Sequence, residues 1–125
     1  MKNLLLEEET YQIIGICLDI HQILGHGFSE AVYKDAIELE AKEKEMIFER
    51  EKAYNVYYKG TKLCHKFIAD FEFFNSVILE VKASDKGISD DHIAQTLNYI
   101  RVSGNKVGLI VNLGRRSLQQ RRLIY

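Results

Sequence analysis

Ile68-Ala69-Asp70-Phe71-Glu72-Phe73, a turn near Asn75-Ser76, and then Val77-Ile78-Leu79-Glu80-Val81-Lys82 form the stretch that decides the fold. Two apolar runs, rich in β-branched and aromatic residues, flank a turn, which is the pattern of a β-hairpin. Charges inside such runs need an explanation, because burying an ion is costly unless it is paired or bound to a metal. Partners in an antiparallel hairpin have position numbers with a constant sum. With Phe74-Asn75-Ser76 as the loop, Phe73 faces Val77, Phe71 faces Leu79, and Asp70 faces Glu80. A two-residue turn would pair Asp70 with Val81 instead, and a one-residue slip reverses every side. In the three-residue register Asp70, Glu80 and Lys82 share a face, with opposed Cβ atoms about 4.5–5.5 Å apart. Carboxylates that close repel one another unless a cation lies between them.

Two carboxylates beside a lysine suit a hard divalent cation, Mg²⁺ or Mn²⁺, which takes oxygen ligands and keeps several waters. Such an ion acidifies a water and polarises a phosphoryl oxygen. A neighbouring ammonium orients the water or stabilises transition-state charge. The plain alternative is a solvated Glu-Lys pair beside an exposed aspartate, an arrangement of little energetic consequence.

The whole chain has 125 residues, 46% hydrophobic and 28% charged, which suits a single α/β domain over residues 1–125 with its own core. No stretch approaches the roughly 20 apolar residues of a membrane span. The opening Met1-Lys2-Asn3-Leu4-Leu5-Leu6 runs straight into Glu7-Glu8-Glu9 and does not read as a signal peptide. Cys17 and Cys64 make no disulfide framework, so a reducing, cytoplasmic setting is expected. Net charge is −1, so the chain as a whole does not advertise nucleic-acid binding. Its tail differs: Arg115, Arg116, Arg121 and Arg122 stand in a segment with no acid, read either as a phosphate-facing patch or as a solvated terminal strand.

Outward from the hairpin, period and punctuation give the remaining elements. Glu7 to Leu24 reads as a helix with Ile13, Cys17, Ile20 and Leu24 as its stripe, widened by Ile14 and Leu18. Gly25-His26-Gly27 ends it. Ser29 caps a second helix that runs to about Lys44, with Glu30 in its first turn and a stripe of Val32, Ala36 and Leu39 bordered by Tyr33 and Ile37. Phe48 to Lys59 reads as a strand, Lys59-Gly60 as a turn, and Lys62 to Phe73 as the next strand. In that second strand Leu63, Phe67, Ala69, Phe71 and Phe73 share one face, and Cys64, Lys66, Ile68, Asp70 and Glu72 the other. After Val77–Lys82 come a loop with Gly87, a third helix from about Asp91 to Val102 with Ile93, Leu97 and Ile100 inward, and Ser103-Gly104-Asn105 as its stop. Val107 to Val111 has the continuous apolar run of a strand buried on both faces, and Leu118 to Tyr125 is a last strand. The order α-α-β-β-β-α-β-β makes a mixed β-sheet flanked by helices.

Asp70 followed by Glu80-Val81-Lys82, on the second and third strands of a meander that continues into a helix and a strand, resembles the PD-(D/E)xK nuclease superfamily and its restriction-endonuclease-like core. Ala69 stands where the motif's name has proline. Gly27-Phe28-Ser29-Glu30-Ala31-Val32-Tyr33 is similar to the signature of the GxxExxY protein family, and Gln95-Thr96-Leu97-Asn98-Tyr99 to the Gln-x-x-x-Tyr motif of the RecB-like branch. The resemblance implies Asp70 and Glu80 as metal ligands, Glu30 as a further carboxylate, and Lys82 as the residue that assists hydrolysis. From the residues alone, Gln95 and Tyr99 are i and i+4 on one helix face, with His92 on a similar side. They offer hydrogen bonds to phosphate or a metal-bound water, or else serve as packing contacts. Glu30 equally suits the helix dipole alone.

The sequence therefore points to a Mg²⁺- or Mn²⁺-dependent phosphodiesterase acting on DNA, or on RNA. Its rival is a non-catalytic nucleic-acid-binding module on the same fold, working as a homodimer or with a partner protein. Hydrolysis of a small nucleotide is a third reading. A zinc site from Cys17, His21, Cys64 and His65 is disfavoured, because adjacent strand residues such as Cys64 and His65 point to opposite faces.

Overall fold

The computed structural model describes residues 5–125, so the reading of Met1 to Leu4 lies outside it. Five strands form one sheet in the spatial order β1 (Phe48–Tyr54), β4 (Phe67–Phe73), β5 (Val77–Lys82), β6 (Val107–Asn112), β7 (Gln119–Ile124). The β5–β6 pair is parallel and the other neighbours are antiparallel. Helices α1 (Glu7–Leu24) and α2 (Glu30–Glu43) precede the sheet, and α3 (Asp90–Ser103) makes the crossover that the parallel pair requires. The expected α-α-β-β-β-α-β-β order is present, with a small two-stranded hairpin, β2 (Tyr57–Tyr58) and β3 (Thr61–Lys62), added between β1 and β4. No helix among the described residues is long and apolar enough to cross a membrane.

Odd-numbered residues of β5 and β6 (Val77, Leu79, Val81, Val107, Leu109 and Val111) pack with Phe71 and Phe73 against α1 and α2. Ile110 and Leu123 pack against Ile100 of α3. The sheet thus has a helix layer on each face, and β6, buried at every position, lies inside it between β5 and β7 as its apolar run implies. Gly108 lets α3 settle onto the sheet: a Cβ there would meet Ile100 Cδ1 at 2.8 Å and Thr96 Cγ2 at 2.9 Å.

Several sequence expectations need correction. The first strand stops at Tyr54, and β4 begins at Phe67 rather than Lys62, because residues 57–62 pair among themselves as the separate hairpin. On α1, Ile16 is buried and Leu18 is exposed. On α2 the inward stripe is Tyr33, Ile37 and Ala41, while Val32 and Leu39 are exposed. Tyr33 sets this phase: its hydroxyl donates to Gly25 O at 2.6 Å and accepts from the Phe28 N–H, tying the α1–α2 loop to the helix. Ser89 caps α3, accepting from the His92 N–H while His92 Nδ1 accepts from the Ser89 N–H. That reciprocal pair is a capping box, and it occupies His92 structurally.

The β1–β4 ladder contains a break that matters for function. Arg50 pairs with Phe71 and Lys52 with Ala69, but Glu51 and Asp70 between them are not paired, and Glu51 has a φ of 57°. Alternation slips there. Arg50 and Glu51 both reach α2, through Asp35, Glu38 and Lys34, whereas Lys52 turns to Glu72. The expectation that Phe67, Phe71 and Phe73 share a face is corrected for the same reason. Phe71 and Phe73 lie in the α1–α2 core, but Phe67 stacks on Tyr99 of α3.

Candidate active site

The turn between β4 and β5 spans Phe74-Asn75-Ser76, with Phe74 and Asn75 at positive φ and the Ser76 N–H donating to Phe73 O. The pairing is Phe73 with Val77, Glu72 with Ile78 and Phe71 with Leu79, the three-residue-turn register. Backbone pairing between the two strands ends at Phe71 and Leu79. Beyond that point β4 stays with β1 while β5 stays with β6, so the hairpin opens into a fork.

Asp70 and Glu80 sit at the mouth of this fork, and their side chains replace the missing backbone partners. The Asp70 N–H donates to Glu80 Oε2 at 2.8 Å, and the Val81 N–H donates to Asp70 Oδ2 at 2.8 Å. The reciprocal bonds fix both carboxylates against opposite strands and bring them next to each other. Asp70 Oδ1 also accepts from Lys34 Nζ at 3.0 Å, and the same ammonium binds Glu51. The break at Glu51 and Asp70 is what lets both acids reach α2.

Glu80 is only 4% exposed. Burial, together with the negative charge of Asp70, pushes its carboxyl up to about 8, against partial relief from the Asp70 N–H and the Lys82 and Lys34 charges. Burial alone would lower Lys34, but its hydrogen bonds to Glu51 and Asp70 and their charges hold it above its ordinary value. Tyr99 is shifted upward, first by burial and then by the charges of Glu80 and Asp70. Its ring stacks on Phe67 at 4.4 Å between centroids, and Phe67 stacks in turn on Tyr54 at 4.8 Å.

Lys82 lies opposite Asn112 in the parallel ladder, its carbonyl accepting from the Leu113 N–H. Gln95 is exposed on α3 one turn before Tyr99. Glu30 is exposed in the first turn of α2, one turn before Lys34. The four arginines do not form one patch. Arg115 and Arg116 line a cavity of about 430 Å³ with Ser117 and Gln119. Arg121 and Arg122 are successive residues of β7 and so project to opposite faces. Cys17 is buried in the α1 core, where burial pushes its thiol up to about 12, while Cys64 is exposed beyond the small hairpin, so the two do not converge.

Two contributors escape sequence reasoning. Lys34 reads as an ordinary helix-surface lysine, yet it is the cation at the carboxylate pair. Asn112 reads as the polar end of a buried strand. Its side chain accepts from the Ser84 and Gly114 N–H groups and donates to Ser84 O and Gln119 Oε1, and so clamps the segment that follows Lys82.

The resemblance to the PD-(D/E)xK superfamily implies a divalent metal, and the donor set can be tested for fit. Among the described residues no group of three or more His, Cys, Asp or Glu side chains is arranged to hold an ion. Mg²⁺ does not need one: it is commonly held by one or two carboxylates, with water and substrate oxygens completing the shell. Asp70 and Glu80 supply two adjacent carboxylates whose mutual repulsion a cation would relieve, so the pair fits.

With that geometry in place, comparison with known proteins defines the class. The model of the PD-(D/E)XK nuclease superfamily matches residues 7–123, and the chain belongs to that superfamily. Among solved structures it is similar to the crystal structure of SSO0001, at TM-score 0.59 and 18% identity over 95% of this chain. It spans 59% of that longer chain. It is also similar to an alkaline exonuclease, LHK-Exo, from Laribacter hongkongensis, at TM-score 0.54 and 11% identity over 99% of this chain and 72% of that one. At such identities the likeness is one of fold. No curated protein matches the sequence.

Proposed function

We propose that the protein is a divalent-metal-dependent nuclease that hydrolyses phosphodiester bonds in DNA, with RNA as the second candidate. Within the superfamily we assign it to the GxxExxY family on the RecB-like branch, on the strength of the Gly27–Tyr33 and Gln95–Tyr99 motifs. The observation that carries the reading is the carboxylate pair at the fork: Glu80 is held buried against Asp70 by reciprocal side-chain-to-backbone bonds. An ionised pair in such a place is costly to folding and is explained by a cation that belongs there.

In this reading Asp70 and Glu80 would hold Mg²⁺ or Mn²⁺, and Glu30 of α2, which completes no three-carboxylate group with them among the described residues, would contribute through a metal-bound water. The ion, when bound, supplies an acidified water and polarises the scissile phosphoryl group. Lys82 holds its ammonium beside that water and stabilises the charge that develops on the phosphoryl oxygens. Gln95 and Tyr99 present an amide and a phenol from α3 to phosphate or water. Arg115 and Arg116 meet the phosphates of the flanking chain. Lys34 neutralises Asp70 in the metal-free protein and gives up that contact on loading.

The rival reading, a nucleic-acid-binding module without catalysis, is favoured by one observation: Lys34 already satisfies Asp70 without a metal. Cleavage of single- and double-stranded DNA and RNA with Mg²⁺ or Mn²⁺, by wild type, Asp70→Ala and Lys82→Ala, separates the two. Metal-dependent cleavage lost in both variants supports the nuclease. Cleavage that survives both substitutions removes the site, and binding without any cleavage by the wild type supports the module.

A further inference from the structure

The separate β2–β3 hairpin has no role in the fold described above. Tyr57 pairs with Lys62 and Tyr58 with Thr61 around a Lys59-Gly60 turn in which both residues have positive φ, and the Leu63 N–H closes onto Val56 O. Every residue from Tyr57 to Lys66 is exposed, and each of the two tyrosines keeps 61% of its surface open. An isolated two-stranded hairpin is marginal in water, so exposing two aromatic rings on one is not explained by stability. Its composition is one-sided. Lys59, Lys62, Lys66 and His65 lie in a run from Asn55 to Ala69 that contains no acid, in a chain whose net charge is −1.

The hairpin also leads to the carboxylate fork. Tyr54 and Phe67 are the last β1–β4 pair before it and form its base. Their rings stack, and Phe67 stacks on Tyr99 of α3. Phe67 is three residues from Asp70, roughly 10 Å of strand. A stacked aromatic row, Tyr54–Phe67–Tyr99, therefore stands between the base of the hairpin and the site, and Tyr57 and Tyr58 follow Tyr54 by three and four residues.

We propose that the Tyr57–Lys66 hairpin is a clamp for unpaired nucleic acid, with bases stacking on Tyr57 on one face of the hairpin and on Tyr58, beside the Lys59 ammonium, on the other, and with phosphates held by Lys59, Lys62 and Lys66. This deepens the nuclease reading, and rests on it, by making a single strand the substrate that enters the fork. Aromatic rings beside lysines are the recognition chemistry of single strands, whose bases are free to stack, whereas a duplex presents its bases already stacked.

The test is the affinity of fluorescent oligo(dT) for the full chain, read by anisotropy in EDTA so that no hydrolysis intervenes. Tyr57→Ser/Tyr58→Ser is expected to weaken binding at least about tenfold, and Tyr57→Phe/Tyr58→Phe to retain it, because the ring and not the hydroxyl does the stacking. Lys59→Ser/Lys62→Ser/Lys66→Ser is expected to flatten the slope of log affinity against log salt by about 2. Equal affinities for wild type and the serine pair, an unchanged slope, no binding by wild type, or tighter binding to a duplex of the same length would each overturn the clamp. A wild type that binds through the hairpin yet never cleaves with Mg²⁺ or Mn²⁺ overturns the nuclease reading and leaves the clamp standing. A wild type that cleaves while the serine pair binds as it does overturns the clamp alone.

Discussion

Replacing Glu80 by glutamine should stabilise the metal-free protein as pH rises. Glu80 has a folded-state carboxyl near 8 against an ordinary value of 4.5, caused first by burial and then by the charge of Asp70. A raised carboxyl means that the folded state binds the extra proton between those values. The unfolded state gives it up, so stability falls as pH rises from about 4.5 to about 8. At about 1.4 kcal/mol per pH unit, the penalty reaches about 3 kcal/mol at pH 7, with no discount for solvent at a residue 4% exposed. Glu80→Gln keeps an oxygen for the Asp70 N–H and removes the titration. Unfolding followed by circular dichroism in EDTA should find wild type and variant within about 1 kcal/mol at pH 5. They should then diverge until the variant melts roughly 10 °C higher near pH 8. Adding Mg²⁺ should recover the lost stability for the wild type and not for Glu80→Gln. Parallel pH profiles for the two proteins would refute the reasoning, because they would show that Glu80 carries no buried, repelled carboxyl.

Lys34→Met removes the ammonium shared by Asp70 and Glu51 and should lower metal-free stability by about 1–3 kcal/mol. The same variant should bind Mn²⁺ more tightly by calorimetry, since no ammonium has to be displaced, and unchanged or weaker binding would count against that role. Gly114→Ala places a Cβ 2.3 Å from Ser84 N and 2.5 Å from Ala83 C. The clash is with backbone, so we expect about 1–3 kcal/mol of destabilisation, read by urea denaturation, together with reduced cleavage, because the displaced segment directly follows Lys82.

The hairpin register was legible because apolar side chains specify it: Phe71 and Phe73 must meet Leu79 and Val77 in the core, and a slip would put them on the wrong face. The buried character of β6 was legible for the same reason. What the chain hid was local and conformational. Nothing in Glu49-Arg50-Glu51-Lys52 announces which residue takes the left-handed conformation, so neither the slip at Glu51 nor the reversal of Phe67 could be read. On α2 two candidate stripes overlap at 3–4 spacing, and the choice was made by a tertiary hydrogen bond from Tyr33 to the preceding loop. Lys34 and Asn112 act through contacts distant in sequence, with Asp70 and with Ser84, and such contacts leave no periodic trace.

The most direct test of the carboxylate pair as a metal cradle is a Mn²⁺ titration followed by electron paramagnetic resonance, for wild type, Asp70→Asn, Glu80→Gln and Lys82→Met. The expected result is a bound ion in the wild type that is lost in the Asp70 and Glu80 variants and kept in the Lys82 variant. Binding that persists in Asp70→Asn and Glu80→Gln, or that is absent from the wild type, would contradict the cradle.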